Sequence, residues 1–408
     1  MTAKHLDKVS DTSCPICGSK ELTAFFENLA VPVFCNLLWT NREAARNCPR
    51  GDIRLAFCSN CGYILNVAFD PNLLNYKQEY ENPLDYSRRF KVYRQSLAKR
   101  LVKQYGLYNK DIISIGCGKG TFLCILCELG NNRGVGFDPS CVEQEQRKMR
   151  CQVRFVRDFY SEKYSDYRSD LIVCRQVLEH IFNPKDFLKM LRRIIGSHLK
   201  TGVFFEVPNA MGIFQSFFIW DIIYEHYSYF TPVSLSRAFS SSGFQVRQLN
   251  TTFEGQFLCI HALPSNNVAS NLDCRQTREV NRISECIKSF AAEYENIVGT
   301  WRCMIEQTED EGQVAVVWGA GAKGVTFLNT VRDSHIRYAV DINPKKQGKY
   351  VAGTGQKIVS PDFLRHYRPD VIIVVNPIYA LEIQRLVKKL GFSTRFEHFR
   401  SGIAIRVK

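Results

Sequence analysis

The sequence predicts an α/β fold in which two strand, glycine turn and helix units of Rossmann type follow a small cysteine-rich unit. Strand-like apolar runs alternate with helix-like runs from about residue 111, which is typical of a parallel sheet covered by helices. Glycine-rich turns follow a buried strand twice, near residues 116 and 319. Two Cys-x-x-Cys pairs precede residue 62. Because 408 residues are too many for one ordinary core, we expect three domains.

The composition is that of a globular protein with anionic ligands. Apolar residues make up 45% and charged residues 23%, which excludes a disordered or fibrous chain. The start of the chain lacks an apolar signal segment and no apolar run reaches the ~18 residues of a membrane span, so we expect a cytoplasmic protein without a membrane partner. The 16 cysteines should then be mostly reduced. The net charge of +14 favours anionic partners such as phosphates or nucleic acid and cannot by itself choose between them. The positive residues are scattered, so no nucleic-acid partner is expected.

Four cysteines near the start have the spacing of a zinc site. Two residues between thiolates let both sulfurs face one ion, and two such pairs complete a tetrahedral site without an open position. The gap between the pairs is longer than in common zinc ribbons, so the segment between them must loop out. The predicted ligands of a structural Zn²⁺ are Cys14, Cys17, Cys58 and Cys61. The alternative is that these thiols are reduced and packed, as we predict for Cys124 and Cys127 inside an apolar helix.

The first glycine turn has the form of a nucleotide site. "IISIGCGKGTFL" is a buried strand, a turn and a helix, in which the residues of the turn, Gly116, Cys117, Gly118 and Gly120, let a ligand approach the backbone. About 20 residues later a second strand ends in Asp138, where a carboxylate can accept both ribose hydroxyls. A nucleoside-bearing cofactor is therefore predicted.

The spacing Gly-x-Gly-x-Gly before an apolar helix resembles motif I of the class I S-adenosylmethionine-dependent methyltransferases. The resemblance implies that Asp158 contacts the adenine amine of S-adenosyl-L-methionine and that Gln176 and His180 line its methyl end. Helix capping is the alternative for the last two. One departure concerns the acidic residue that usually stands two positions before the first glycine, which is Ser114 here.

The order of these features along the chain, together with "YEHYSYF" and the second glycine turn, resembles the sugar C-methyltransferase family. The resemblance covers nearly all of the chain. It implies a class I methyltransferase core flanked by a small zinc-binding domain and a second Rossmann-like domain, and a nucleotide-linked 4-keto deoxysugar as the substrate. The expected boundaries are 1–75 for the zinc-binding domain, 76–265 for the methyltransferase domain, 266–310 for a helical connector and 311–408 for the C-terminal domain.

The resemblance places the general base on His226, with Tyr224, Glu225 and Tyr229 lining the sugar site. The chemistry fits these residue types, because a carbon beside a carbonyl becomes a nucleophile only after it loses a proton, which an imidazole can accept. Tyrosine hydroxyls can donate hydrogen bonds to the enolate oxygen, each worth about 3–4 kcal/mol. Glu225 would orient the imidazole or hold a sugar hydroxyl.

Further substrate contacts are predicted on both sides of the core. "YKQEYENPLDYS" offers Tyr80 as a catalytic residue and Tyr76 and Ser87 as substrate contacts, although an aromatic linker is an equal alternative. The resemblance implies that the C-terminal domain holds the nucleotide of the substrate, where Lys323 and the backbone N–H groups of the second glycine turn would hold a diphosphate. Asn376 would contact the nucleotide beyond the end of a strand, or cap the next helix. By pattern alone, this second turn, which is followed by Asp341, also fits NAD.

The sequence therefore predicts C-methylation of a nucleotide-linked keto sugar at C3, by a monomer or a homodimer. One alternative is an O- or N-methyltransferase acting on a small molecule or RNA. The other is a zinc- and nucleotide-binding module without catalysis.

Overall fold

The computed structural model describes residues 7–9, 12–74, 80–81, 84–141, 152–266, 274–332, 335–400 and 403–407. These residues form three β-sheets with helices around the second and third. None of the helices in this part of the chain is long and apolar enough to cross a membrane.

The first sheet is antiparallel and has five strands. Four come from the start of the chain, and the fifth is a two-residue strand from the middle of the chain, Ser228–Tyr229, which pairs with Ile64–Asn66. The segment that contains His226 is thereby attached to the N-terminal unit. In spatial order the strands are Asp7–Lys8, Leu22–Pro32, Arg50–Cys58, Ile64–Asn66 and Ser228–Tyr229. A short helix, Arg42–Arg46, lies in the loop between the second and third.

The second sheet has seven strands, and all but one run parallel. Phe257–Pro264, next to one edge, is antiparallel to both of its neighbours. In spatial order the strands are Phe244–Thr252, Phe257–Pro264, Gly202–Pro208, Leu171–Arg175, Asp111–Ile115, Arg133–Phe137 and Val153–Val156. From Asp111–Ile115 the chain adds strands first toward one edge of the sheet and then toward the other. Ligands of such sheets bind at this switch point.

Local signals in the sequence set the helices of this domain. The first helix, Arg88–Tyr105, begins because the Ser87 hydroxyl accepts the N–H of Phe90, and ends at Gly106, whose φ is 60°. The other helices are Thr121–Gly130, Pro184–Ile195, Ala210–Gln215 and Pro232–Ser240.

The third sheet has six strands, five of them parallel. In spatial order they are Lys357–Val359, Tyr338–Val340, Ala315–Trp318, Val371–Val374, Arg395–Arg400 and the antiparallel Ile403–Val407. The helices of this unit are Ala322–Val331, Leu364–Tyr367 and Ala380–Leu390.

A 37-residue helix, Cys274–Asp310, connects the second and third sheets and packs on all three units. Its Phe290 contacts Phe26 of the first sheet, with ring centroids 5.8 Å apart. Its Trp301 lies 5.2 Å from Phe327 of the C-terminal unit and 6.4 Å from Trp220. The domain boundaries given above stay predictions, since one sheet combines strands from two of the predicted domains.

Candidate active site

The first glycine turn leaves open space beside its backbone. Gly116, Gly118 and Gly120 have φ values of 62°, 53° and 76°, which a residue with a side chain adopts only under strain. A Cβ on Gly120 would overlap the Phe155 ring, whereas a Cβ on Gly118 would meet no atom within 4 Å. Gly118 is therefore where a ligand can approach the backbone.

Asp138, at the end of the neighbouring strand, forms a hydrogen bond with this turn. Its Oδ2 accepts the N–H of Gly118 at 2.8 Å, and its Oδ1 accepts the N–H of Ser140 at 2.8 Å. A carboxylate has about four acceptor positions, so ribose hydroxyls can still bind. The sulfur of Cys117 lies 3.7 Å from that of Cys141. The turn and its acid are brought together, and their contacts with the cofactor stay predictions.

Asp158 lies at the surface with a cation beside it. Lys163 forms an ion pair with its carboxylate, and the Tyr164 hydroxyl donates to it at 2.7 Å. Lys163 first, and then Tyr164, lower the pKa of Asp158 to about 2. The carboxylate is therefore ionised at neutral pH and able to accept an adenine amine, which stays its predicted role.

Gln176 is held by a glutamate that the sequence analysis did not single out. Its backbone has a φ of 57°, and its Nε2 donates to Glu206 Oε1 at 3.2 Å. Glu206 is fully buried and also accepts two hydrogen bonds from Arg175, at 3.0 and 2.8 Å. Backbone strain of this kind clusters at functional sites. The signal for Glu206 was one charged residue in the apolar run "GVFFEVP".

His180 and His226 form a pair of imidazoles whose ring centroids are 4.9 Å apart. His180 Nδ1 lies 2.8 Å from the backbone carbonyl of Glu225, so this nitrogen is the protonated one. Burial lowers the pKa of His180 to about 4. Burial first, and then the nearby His180 and Lys323, hold the pKa of His226 well below its usual value. Both rings are therefore neutral at pH 7.

The Glu225 carboxylate is turned toward the N-terminal unit. It accepts the hydroxyl of Tyr80 at 2.7 Å and the N–H of Cys35 at 3.0 Å. Burial raises the pKa of Glu225, although both hydrogen bonds act in the opposite direction. Its backbone carbonyl contacts the imidazole of His180. Orienting His226 or holding a sugar hydroxyl stays a prediction for its carboxylate. Tyr80 thus lies beside Glu225, and its catalytic role stays a prediction.

The hydroxyls of Tyr224 and Tyr229 both bond to backbone groups. Tyr224 accepts the N–H of Asp70 at 2.8 Å and donates to its carbonyl at 3.2 Å. Tyr229 does the same with Ile223, at 3.1 and 3.0 Å. Donation to an enolate would require these bonds to be exchanged. That role stays a prediction for both residues.

The second glycine turn is built like the first. The N–H of Ala320 donates to Asp341 Oδ2 at 2.9 Å, as Gly118 does to its aspartate. A Cβ on Gly324 would overlap the carbonyl of Gly319. Behind the turn, the buried Lys346 donates to the carbonyl of Ala320 at 3.1 Å.

The other predicted substrate residues lie where the C-terminal unit meets the core. Lys323 forms an ion pair with Asp221, five residues before His226. Asn376 caps the turn Pro377–Tyr379 and lies 3.5 Å from Gln256 of the core.

Ser87 donates to Glu382 of the C-terminal unit at 2.7 Å in addition to capping its own helix. The structure thus uses Ser87 to join two units, and its contact with a sugar stays a prediction. Tyr76 lies outside the described residues.

Glu81 connects the two glycine turns, and no local signal in the sequence indicates it. Its carboxylate is buried and accepts Lys119 of the first turn at 3.0 and 3.1 Å. It also accepts the side-chain amide of Asn343, which follows the second turn, at 3.2 Å. The segments of the two glycine turns therefore share one buried carboxylate.

The four N-terminal cysteines come together. The sulfurs of Cys14 and Cys61 are 3.5 Å apart, those of Cys17 and Cys58 are 3.6 Å apart, and all four lie within 4.8 Å of one another. Four thiolates about 2.3 Å from a Zn²⁺ would be ~3.8 Å apart, so the set fits this ion. Cys124 and Cys127 are buried in the helix Thr121–Gly130.

The seven-stranded sheet with its antiparallel strand next to the edge, and the glycine turn at its switch point, define a class I S-adenosylmethionine-dependent methyltransferase. Family models agree with this class. Residues 86–249 match the model of a methyltransferase domain, and residues 260–393 match that of the C-methyltransferase C-terminal domain.

Two proteins with known names are similar to this chain in sequence. The C-methyltransferase NovU of Streptomyces niveus is 24% identical over 387 residues, covering 91% of this chain and 90% of that protein. The mitochondrial ubiquinone biosynthesis O-methyltransferase of Dictyostelium discoideum is 27% identical, but over 26% of this chain and 38% of that protein. These matches support the sugar C-methyltransferase family that the sequence resembles, and the chain is an enzyme that uses S-adenosylmethionine to methylate carbon.

Solved structures resemble part of the chain. Magnesium protoporphyrin IX methyltransferase of Synechocystis has 16% identity and a TM-score of 0.35, covering 47% of this chain and 91% of that chain. A putative S-adenosylmethionine-dependent methyltransferase of Listeria monocytogenes has 14% identity and a TM-score of 0.34, covering 43% of this chain and 100% of that chain.

Proposed function

We propose that the protein methylates C3 of a nucleoside-diphosphate-linked 4-keto deoxysugar after removing the proton from that carbon. The observation that carries this proposal is the neutral imidazole of His226. It lies beside His180, on a segment that contacts both the N-terminal sheet and the C-terminal unit. When bound, S-adenosylmethionine supplies an electrophilic methyl group. The residues of this chain must then make a nucleophile of the sugar carbon.

His226 is suited to act as the base. A base must be unprotonated at the working pH, and burial keeps the pKa of this imidazole low. Its ring is only half-buried, so a substrate can reach it. Proton removal beside a ketone gives an enolate, and Tyr80 and Tyr229 are the hydroxyls we propose near its oxygen. Gln176 and His180 would lie toward the methyl group.

The C-terminal unit is proposed to hold the nucleotide. Its glycine turn offers backbone N–H groups at the start of the helix Ala322–Val331, where a diphosphate is favoured. Lys323, which is paired with Asp221, would turn its ammonium group to the phosphates when the substrate binds. Ser87, Tyr76 and Asn376 are the further proposed contacts. This arrangement favours a nucleotide-linked substrate over NAD, because the turn adjoins the segment of the proposed base.

A structural Zn²⁺ on Cys14, Cys17, Cys58 and Cys61 is part of the proposal. Four thiolates leave no coordination position for a substrate. The ion would therefore stabilise the sheet on which the segment of His226 is paired, without taking part in the reaction.

Solvent exchange tests the proposal directly. The protein, S-adenosylhomocysteine and a nucleoside-diphosphate 4-keto-6-deoxysugar are mixed in D₂O, and deuterium at C3 is followed by NMR. The wild type should exchange that proton, and with S-adenosylmethionine it should form a C3-methyl product. His226→Gln should lose both activities, and His198→Gln, at an exposed histidine of the same domain, should keep them. Exchange that persists in His226→Gln, or a methyl group on oxygen, would refute the assignment.

A further inference from the structure

A second carboxyl group lies beside the two imidazoles. Glu179 belongs to the short turn Leu178–His180 and is 1% exposed. One of its carboxylate oxygens and one ring nitrogen of each of His180 and His226 lie within 4.8 Å of one another. The sequence analysis used His180 from this turn and passed over its neighbour.

Two atoms of this cluster have no hydrogen-bond partner. They are Glu179 Oε2 and His226 Nδ1, and both are buried. A buried acceptor and a buried ring nitrogen without partners destabilise a fold, and such groups are retained mainly where a site uses them. One of these atoms is an acceptor and the other can carry a proton, so the two are chemically complementary.

None of the other described groups near His226 can both accept its Nδ1–H and balance the charge of its imidazolium. The Glu225 carboxylate is engaged by Tyr80 and Cys35. His180 is neutral, so it can accept a hydrogen bond but brings no negative charge to balance an imidazolium. Lys323 is a cation and opposes protonation of His226.

We propose that Glu179 is the positioning residue of His226, whose Nδ1–H it accepts while Nε2 faces the substrate. This inference rests on the proposed function. When the C3–H bond breaks, its proton goes to Nε2 and its electron pair to the enolate. The Glu179 carboxylate then balances the charge of the imidazolium, as a buried aspartate does for the histidine of serine proteases. After methyl transfer the proton leaves Nε2 to solvent.

The proposal predicts a pH dependence. Burial first, and then Glu206, raise the pKa of Glu179 to about 8. Because only the ionised carboxylate can accept Nδ1–H and balance the charge, C3 exchange should increase as the pH rises through 8. Among the described residues, charged and titratable groups that face the pair from the surrounding elements include Cys174, His180, Glu206, Tyr229 and Lys323.

The test compares Glu179→Gln with Glu128→Gln, which changes an exposed glutamate of the same domain. We expect C3 exchange to fall roughly 100-fold or more in Glu179→Gln, with loss of the rise near pH 8, and to be unchanged in the control. Equal affinity for S-adenosylhomocysteine in all three proteins shows that the fold is intact. Wild-type exchange rates and an unchanged pH profile in Glu179→Gln would overturn the proposal.

A conservative variant covers the case in which Glu179→Gln does not fold. Glu179→Asp keeps the charge but moves the carboxylate away from His226, because the side chain is one carbon shorter. We therefore expect C3 exchange to be roughly tenfold slower than in the wild type and still to increase with pH. A wild-type rate in Glu179→Asp would overturn the proposal. Absence of exchange in the wild type with every keto sugar would instead refute the proposed function, so the two failures are distinguishable.

Discussion

Two glycines of the first glycine turn are expected to differ in purpose: the fold requires Gly120, and the ligand requires Gly118. Gly120 and Gly118 both have positive φ, but only at Gly120 would a Cβ overlap another side chain, the ring of Phe155. Gly106, at the end of the helix Arg88–Tyr105, has a φ of 60° with no atom near its Cβ position. Alanine at Gly106 therefore measures backbone strain alone.

The magnitudes follow from these surroundings. Left-handed backbone strain costs about 1–2 kcal/mol for a residue with a side chain. Overpacking against Phe155 adds about 1–3 kcal/mol. Gly120→Ala should thus lower the free energy of unfolding by about 2–5 kcal/mol, and Gly106→Ala and Gly118→Ala by about 1–2 kcal/mol. Because the Cβ of Gly118→Ala would lie in the ligand space, its S-adenosylhomocysteine dissociation constant should rise roughly tenfold, which is about 1.4 kcal/mol.

Urea unfolding of the free proteins and calorimetric titration with S-adenosylhomocysteine check both quantities. Gly106→Ala should bind like the wild type. The reasoning fails if Gly118→Ala and Gly120→Ala lose the same stability, or if Gly118→Ala binds the ligand as tightly as Gly106→Ala does.

Two further predictions concern the metal and the base. Cys14→Ser combined with Cys58→Ser should remove one zinc per chain in elemental analysis and lower the melting temperature. Cys303→Ser, at an exposed cysteine, should keep the metal. Equal zinc content in the two variants would contradict the assignment. Lys323→Gln should raise the pKa of His226, because a nearby cation disfavours the imidazolium and its removal also unmasks the Asp221 carboxylate. NMR titration of the imidazole, with Lys103→Gln as an exposed control, measures this, and a downward shift would contradict it.

The features that the sequence predicted well are those that one segment defines by itself. Gly116, Gly118 and Gly120 carry their positive φ values in the turn where the pattern places them. The acid that follows the next strand, Asp138, reaches that turn because parallel strands end at the same edge of a sheet. Two matched cysteine pairs likewise indicated a cluster that the fold assembles.

The features that the sequence did not predict depend on partners far along the chain. Glu81 becomes central only when Lys119 and Asn343 converge on it, 38 and 262 residues away. The direction of the Glu225 carboxylate is set by Cys35, 190 residues earlier. The pattern "YEHYSYF" gives the residue types of a site, but backbone groups of the folded protein decide where each hydroxyl bonds. Glu179 had a local signal, its position beside His180 after an apolar strand.

The pairing of Ser228–Tyr229 with Ile64–Asn66 limits how the protein can be divided. A fragment that starts at the helix Arg88–Tyr105 would retain the whole sheet that carries the methyl donor, yet its histidine segment would have no strand to lie against. Such a shortened enzyme would hold its donor and fail to activate an acceptor. On the proposed mechanism, acceptor chemistry thus needs the N-terminal strand, whereas binding of the methyl donor does not.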